Sequence, residues 1–208
     1  MNIKSVEFAG AIASPGGGMP GALPQVAFAG RSNVGKSSLI NRLLGRTRTR
    51  VARVSAQPGK TREINFFRVL AGRKSGDVEF FLVDLPGYGY ARVPGHLRDA
   101  WRPLIESYLE DNTWLRGVVQ LIDARHGPTE DDLRMMTFLA HLGTPALFVL
   151  TKVDKLSRSQ RAARLPELAR ALAQDEEQIL PFSAQTGEGR ETLLEALETL
   201  LGGDEERP

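Results

Sequence analysis

The sequence predicts an α/β protein: a mostly parallel six-stranded sheet with one antiparallel strand and helices on both faces. Three observations carry this. Short apolar runs alternate with stretches of helical period along most of the chain. The run Gln25-Val26-Ala27-Phe28-Ala29 feeds Gly30-Arg31-Ser32-Asn33-Val34-Gly35-Lys36-Ser37, a complete G-x-x-x-x-G-K-S loop. That loop opens a helical stretch with Leu39, Ile40, Leu43 and Leu44 on one face.

The elements follow in order. Ile3 to Phe8 alternates and is expected as a short edge strand, with a Gly- and Pro-rich loop from Ser14 to Gly21 behind it. Residues 1–24 are read as an N-terminal extension, 25–201 as the nucleotide-binding domain and 202–208 as an acidic tail. Arg46 to Lys60 is polar, basic and without apolar period, a long loop of the kind that is functional in a compact domain. Glu63–Leu70 and Val78–Asp84 read as a hairpin, which supplies the antiparallel strand. Helices are expected over Arg98–Leu109, Thr129–Leu142 and Gly189–Leu201, and strands over Gly117–Asp123, Ala146–Lys152 and Gln178–Ser183. Pro166 is expected to split the helical stretch Ser157–Ala173.

Composition narrows the classes. The 208 residues suit one domain, and the absence of cysteine excludes disulfides and thiolate metal sites. No apolar run approaches the ~20 residues of a membrane span. Met1 to Pro15 carries Glu7 and lacks a continuous apolar core, so no secretion signal is expected and a cytoplasmic location is. The formal charge of +2 is unevenly spread. No acidic residue lies between Phe8 and Arg62, whereas Arg31, Lys36, Arg42, Arg46, Arg48, Arg50, Arg53, Lys60 and Arg62 do, predicting a basic surface beside the loop.

The chemistry of the loop is that of phosphate binding. Glycines let consecutive N–H groups point at phosphate oxygens, and the following helix N-terminus favours negative charge. Lys36 is placed to reach the β- and γ-phosphates, and the Ser37 hydroxyl is a ligand for Mg²⁺, with Ser38 beside it. Asp84-Leu85-Pro86-Gly87 is a D-x-x-G: its carboxylate can hold Mg²⁺ through water and Gly87 N–H can meet the γ-phosphate. Thr151-Lys152-Val153-Asp154 is a variant of the N-K-x-D guanine motif. Asp154 can accept from both N1–H and the exocyclic amine of guanine, which adenine cannot match, a difference worth ~10⁴ or more in a buried polar site. The Lys152 stem can cover the base, and in Phe182-Ser183-Ala184 the Ala184 N–H can meet guanine O6. Thr61 in Pro58-Gly59-Lys60-Thr61 is placed to complete the Mg²⁺ sphere and sense the γ-phosphate, with Thr47, Thr49 and Ser55 as rivals in the same loop. GTP and GDP are the expected ligands. A small-metabolite kinase is disfavoured by T-K-x-D, by S-A and by the lack of a lid segment.

With these residues in hand the chain resembles the EngB (YihA/YsxC) family of ribosome-assembly GTPases, within the Era-like group. The resemblance rests on Gly30 to Asn41, on Pro58-Gly59-Lys60-Thr61 with Ile64-Asn65-Phe66-Phe67, and on Asp84 to Ala91. It continues with Asp123, Arg125 and His126, with Thr151 to Asp154, and with Phe182-Ser183-Ala184. It departs at Gln57, where the family has threonine, and in the Gly-rich residues 10–22. The resemblance implies a P-loop GTPase domain, expected as a monomer, and a role in late maturation of the large ribosomal subunit with links to cell division and septation. Its expected partner is a large-subunit precursor, rRNA and ribosomal proteins, bound through Arg46, Arg48, Arg50 and Arg53 with Arg158, Arg161 and Arg164. A GTP-gated protein-binding module at the division site is the alternative.

Hydrolysis is expected to be slow, on the order of 10⁻⁴ to 10⁻² per second. Tyr88 stands where Ras-like enzymes place a water-orienting glutamine, and His96, His126 and His141 have no triad-like partners. Tyr88 and Tyr90 are expected either to stack on bases or to pack within their own segment. Asn33 either coordinates K⁺ beside the phosphates, as the resemblance to the Era-like group implies, or accepts a left-handed backbone.

Overall fold

Strand β2 (Gln25–Gly30) is buried at every residue because it lies in the middle of the sheet, paired in parallel with β4 (Gly76–Asp84) and β5 (Leu115–Asp123). The computed structural model describes residues 1–46, 52, 63–88, 102–110 and 112–202. Among these, β1 (Asn2–Ile12), β3 (Ile64–Arg73), β6 (Ala146–Thr151) and β7 (Ile179–Phe182) complete a seven-stranded sheet of order β1-β3-β4-β2-β5-β6-β7. The α/β class and the mostly parallel sheet agree with the sequence, and β3 runs against its neighbours β1 and β4 as the hairpin predicts. The strand count is seven instead of six. The N-terminal segment extends beyond Ile3–Phe8 and pairs with β3 from Asn2 to Ile12, with irregularities between Ile3 and Ser5 and between Phe8 and Gly10.

Alternation along the strands divides the core between the two faces. Val119 and Leu121 of β5 pack with Leu39 and Leu43 of α1 (Lys36–Leu43) and with Leu193 and Leu197 of α5 (Arg190–Gly202). Val118 turns to the opposite face, toward Leu104, Ile105 and Tyr108 of α2 (Arg102–Leu109) and Met135 and Leu139 of α3 (Glu130–His141). Each fully buried leucine or phenylalanine of these layers contributes about 1.5–3 kcal/mol.

Helix α4 (Arg158–Leu172) runs through Pro166 without a break, against the expected division. A mid-helix proline costs ~3 kcal/mol. Here a Ser157–Gln160 capping box fixes the first turn, and Leu168, Ala169 and Leu172 bury the second half against Ile122 and Leu150. The cap before the proline and the packing after it hold one helix. The first part of the helix expected from Arg98, including Trp101, lies outside the described residues, as do Tyr90, His96 and residues 203–208.

Candidate functional site

The loops at the C-terminal ends of β2, β4, β6 and β7 converge on one edge of the sheet. The phosphate loop leaves β2 and opens α1, with Asn33 at φ +65° and Gly35 at φ +108°, a left-handed path that turns the chain into the helix. Lys36 is buried, and its ammonium is hydrogen-bonded to Asp84 Oδ1, so the loop's cation meets the D-x-x-G carboxylate. Gly87 lies against the same loop: a Cβ there would sit 3.1 Å from Ser32 Oγ and 3.2 Å from Ser32 Cα. Ser32 Oγ donates to the Gly87 carbonyl at 3.3 Å, and Ser32 N–H donates to the Tyr88 carbonyl at 2.8 Å.

Tyr88 itself turns away from the loop. Its side chain is 1% exposed, its hydroxyl donates to Asp132 Oδ1 at 2.8 Å and accepts from Gln120 Nε2. Burial, with the Asp132 carboxylate, pushes its phenol well above the ordinary range. The base-stacking expectation is therefore corrected for Tyr88: the ring packs in the core with Ile105 and Met135.

The T-K-x-D segment is fastened to the phosphate loop. Thr151 Oγ1 donates to the Val34 carbonyl at 2.7 Å, and Lys152 Nζ donates to the Asn33 carbonyl at 2.6 Å. Thr151 thus uses its hydroxyl to make a backbone contact in the place where the N-K-x-D pattern has an asparagine side chain. Lys152 has φ +62°, which swings its stem past Gly35, and its ammonium also donates to Asp123 Oδ2 at 2.9 Å. Val153 is buried in a short 3-10 turn that aims Asp154 into the cleft. Asp154 accepts from Ser183 Oγ at 2.7 Å. Burial would raise its carboxyl, but the Ser183 bond and the nearby Lys155 outweigh it and hold the group below its ordinary value.

Asp123 was prominent in the sequence only through the family resemblance. Its fully buried carboxylate takes Arg125 Nε at 2.9 Å, Arg125 Nη2 at 2.8 Å and Lys152, with Arg31 Nη2 at 3.8 Å. Burial opposes ionisation, yet these cations hold the group well below the usual carboxylate range. Two further residues escaped sequence reasoning. Asn41 Nδ2 donates to the carbonyls of Ser37 and Ala52, at 2.7 and 2.9 Å, tying α1 to a buried point of the long loop. Arg42, assigned with the basic surface, instead donates into the loop after β7.

Between these segments lies a cleft of ≈ 420 Å³, walled by Gly35, Ser38, Lys152, Asp154, Phe182 and Ala184 among others. The structure therefore brings together the phosphate loop, Asp84 to Gly87, Thr151 to Asp154 and Phe182 to Ala184. Pro58, Gly59, Lys60 and Thr61 lie outside the described residues, with the rivals Thr47, Thr49 and Ser55 and the arginines Arg48, Arg50 and Arg53. On α4, Arg161 pairs with Glu188 and Arg164 with Glu167, each at 2.6 Å, so these two are engaged within the chain.

Residues 25–152 match the family described as 50S ribosome-binding GTPase, and residues 111–202 match the elongation factor Tu GTP binding domain. A probable GTP-binding protein EngB of Gemmatimonas aurantiaca is 50% identical over 202 residues, 97% of this chain and 95% of that one. The chain belongs to the EngB family. A second EngB protein, from Desulforamulus reducens, is 45% identical over 98% of this chain and 96% of its own. The crystal structure of a probable GTP-binding protein engB superposes with a TM-score of 0.64 at 27% identity, covering 85% of this chain and 98% of that one. Era in complex with MgGDPNP and nucleotides 1506–1542 of 16S ribosomal RNA gives 0.68 at 25% identity, over 86% of this chain and 57% of that one. EngB membership makes this chain a GTP-binding P-loop GTPase. Among the described residues, no helix is long and apolar enough to cross a membrane.

Proposed function

We propose that the chain is a slow GTPase switch in late assembly of the large ribosomal subunit, cytoplasmic and monomeric, on which normal division and septation depend. One observation carries the nucleotide half of this reading: Asp154, held by Ser183, faces the same cleft as the phosphate loop. Asp154 accepts from guanine N1–H and the 2-amino group, Ala184 N–H donates to O6, and the Lys152 stem covers the base. Lys36 and the loop N–H groups from Arg31 to Ser38 hold the phosphates, and Gly87 N–H meets the γ-phosphate. The Ser37 hydroxyl and the buried Asp84 carboxylate are oxygen donors of the kind a hard divalent ion takes, and with Thr61 they would hold Mg²⁺. That ion, when bound, neutralises charge on the phosphates. Asn33 offers a side-chain carbonyl to K⁺ at the edge of the loop.

The burial of Tyr88 supports the slow rate, since nothing at that position can orient a water. The ribosomal half rests on family: the matching family is described as ribosome-binding, and the chain's charge excess is basic beside the phosphate loop. Co-sedimentation with large-subunit precursor particles under GDP, GTP and a non-hydrolysable GTP analogue tests it. Retention with the analogue, lost under GDP and weakened by salt, is the expected result. Equal sedimentation in all three overturns the nucleotide switch, and none in any overturns the ribosomal assignment and leaves the protein-binding alternative.

A further inference from the structure

The loop after β7 must hold one backbone N–H toward the cleft. Within that loop, Gly187 N–H donates to the Ser183 carbonyl at 2.8 Å, and Thr186 N–H donates to Ser183 Oγ at 3.1 Å. A trans peptide sets its N–H opposite its C=O, so fixing the Ser183 carbonyl turns Ala184 N–H the other way. Among the described residues that N–H meets no acceptor, and Ala184 lines the cleft.

The next two carbonyls draw their donors from far off in the chain. Arg42 Nε donates to the Ala184 carbonyl and Arg42 Nη2 to the Gln185 carbonyl, both at 2.6 Å. Arg42 belongs to α1, the helix opened by the phosphate loop, and its own carbonyl accepts from Arg190 Nε of α5 at 3.1 Å. A planar guanidinium fixes two acceptors in one plane, which a lysine ammonium cannot do. Both peptides that follow Ala184 are therefore clamped to the helix that carries Lys36 and Ser37.

The geometry points to Arg42 as a positioning residue for base recognition: it fixes the aim of the Ala184 N–H that reads guanine O6. This rests on the guanine assignment above. The residue makes the base-reading loop and the phosphate-binding helix one preformed frame, so that affinity for the 6-position depends on a side chain that does not touch the base.

The test compares binding of GDP with binding of 6-thioguanosine diphosphate, which keeps N1–H and the 2-amino group but replaces O6 with a weaker acceptor. Wild type should bind the thio analogue about 5–10-fold more weakly, the worth of one neutral hydrogen bond. Arg42→Met should bind GDP about 10-fold more weakly than wild type and lose the preference, to within about twofold. Weakened GDP binding with the preference intact overturns the proposal, because it leaves Arg42 with a role in folding or charge alone. Unchanged GDP binding overturns it too. A wild type indifferent to the substitution overturns the Ala184 assignment itself, and this proposal with it. Arg42→Lys, which keeps the charge without the fork, is measured in the same way; loss of preference there supports the proposal and full retention overturns it, whether or not Arg42→Met folds.

Discussion

The Tyr88 hydroxyl donates to Asp132 Oδ1 at 2.8 Å in the core, while the backbone carbonyl of the same residue accepts from Ser32 of the phosphate loop at 2.8 Å. Asp132 Oδ2 meanwhile accepts from Thr129 N–H at 2.8 Å and closes the capping box of α3. One tyrosine thus joins the D-x-x-G segment to the start of a helix on the sheet's far face.

Tyr88→Phe keeps the ring and removes the hydroxyl. Asp132 Oδ1 and Gln120 Nε2 each lose a partner in a dry site, which costs about 1–3 kcal/mol. Urea denaturation should show a lower midpoint with an unchanged slope; an unchanged midpoint would mean that Gln120 Nε2 and Asp132 Oδ1, already 3.4 Å apart, satisfy each other without the hydroxyl.

Asp154→Asn exchanges an acceptor pair for one acceptor and one donor. GTP affinity should fall about 100-fold, and xanthosine triphosphate, whose 2-oxo group needs a donor, should become the better ligand. A competition assay in which GTP still wins in the variant removes Asp154 from base recognition.

Asp123 sets a pH dependence. Its folded-state pKa lies below the unfolded value of about 3.9, because Arg125 and Lys152 outweigh burial. The stabilisation is complete above the unfolded value and is lost as pH falls through the folded one. Asp123→Asn should therefore cost on the order of 3 kcal/mol at neutral pH, with the gap to wild type narrowing below about pH 4. Melting curves from pH 3 to 7 that show a constant gap would contradict this.

Asn33 offers the remaining prediction. Its backbone is left-handed and its carbonyl is taken by Lys152, which leaves the exposed side chain for a cation. Steady-state GTP hydrolysis should be about tenfold faster in K⁺ than in Na⁺ at equal ionic strength, and Asn33→Ala should abolish the difference. Equal rates in wild type would leave Asn33 with its backbone role alone.

Much of this site was legible because its parts lie within short windows. Gly30 to Ser37, Thr151 to Asp154 and the hairpin of β3 and β4 are local patterns, and each appears where its spacing places it. The continuous α4 was not legible, since Pro166 is overridden by packing of Leu168 and Leu172 against distant strands. Neither were the roles of Arg42 and Asn41, whose charge or amide reads the same whether it faces solvent or a backbone carbonyl. Arg42 and Ala184 are 142 residues apart, beyond the reach of any periodicity. Tyr88 and Asp132 likewise needed the fold to meet.

The bond from Thr151 to the Val34 carbonyl has a kinetic consequence. With Lys152 on Asn33 as well, opening the T-K-x-D strand end while the phosphate loop stays closed requires both hydrogen bonds to break. Concerted escape of the nucleotide is the expected outcome, base and phosphates leaving together, and a single exponential in dissociation of a fluorescent GDP analogue checks it. On that expectation, loosening either segment frees the other as well.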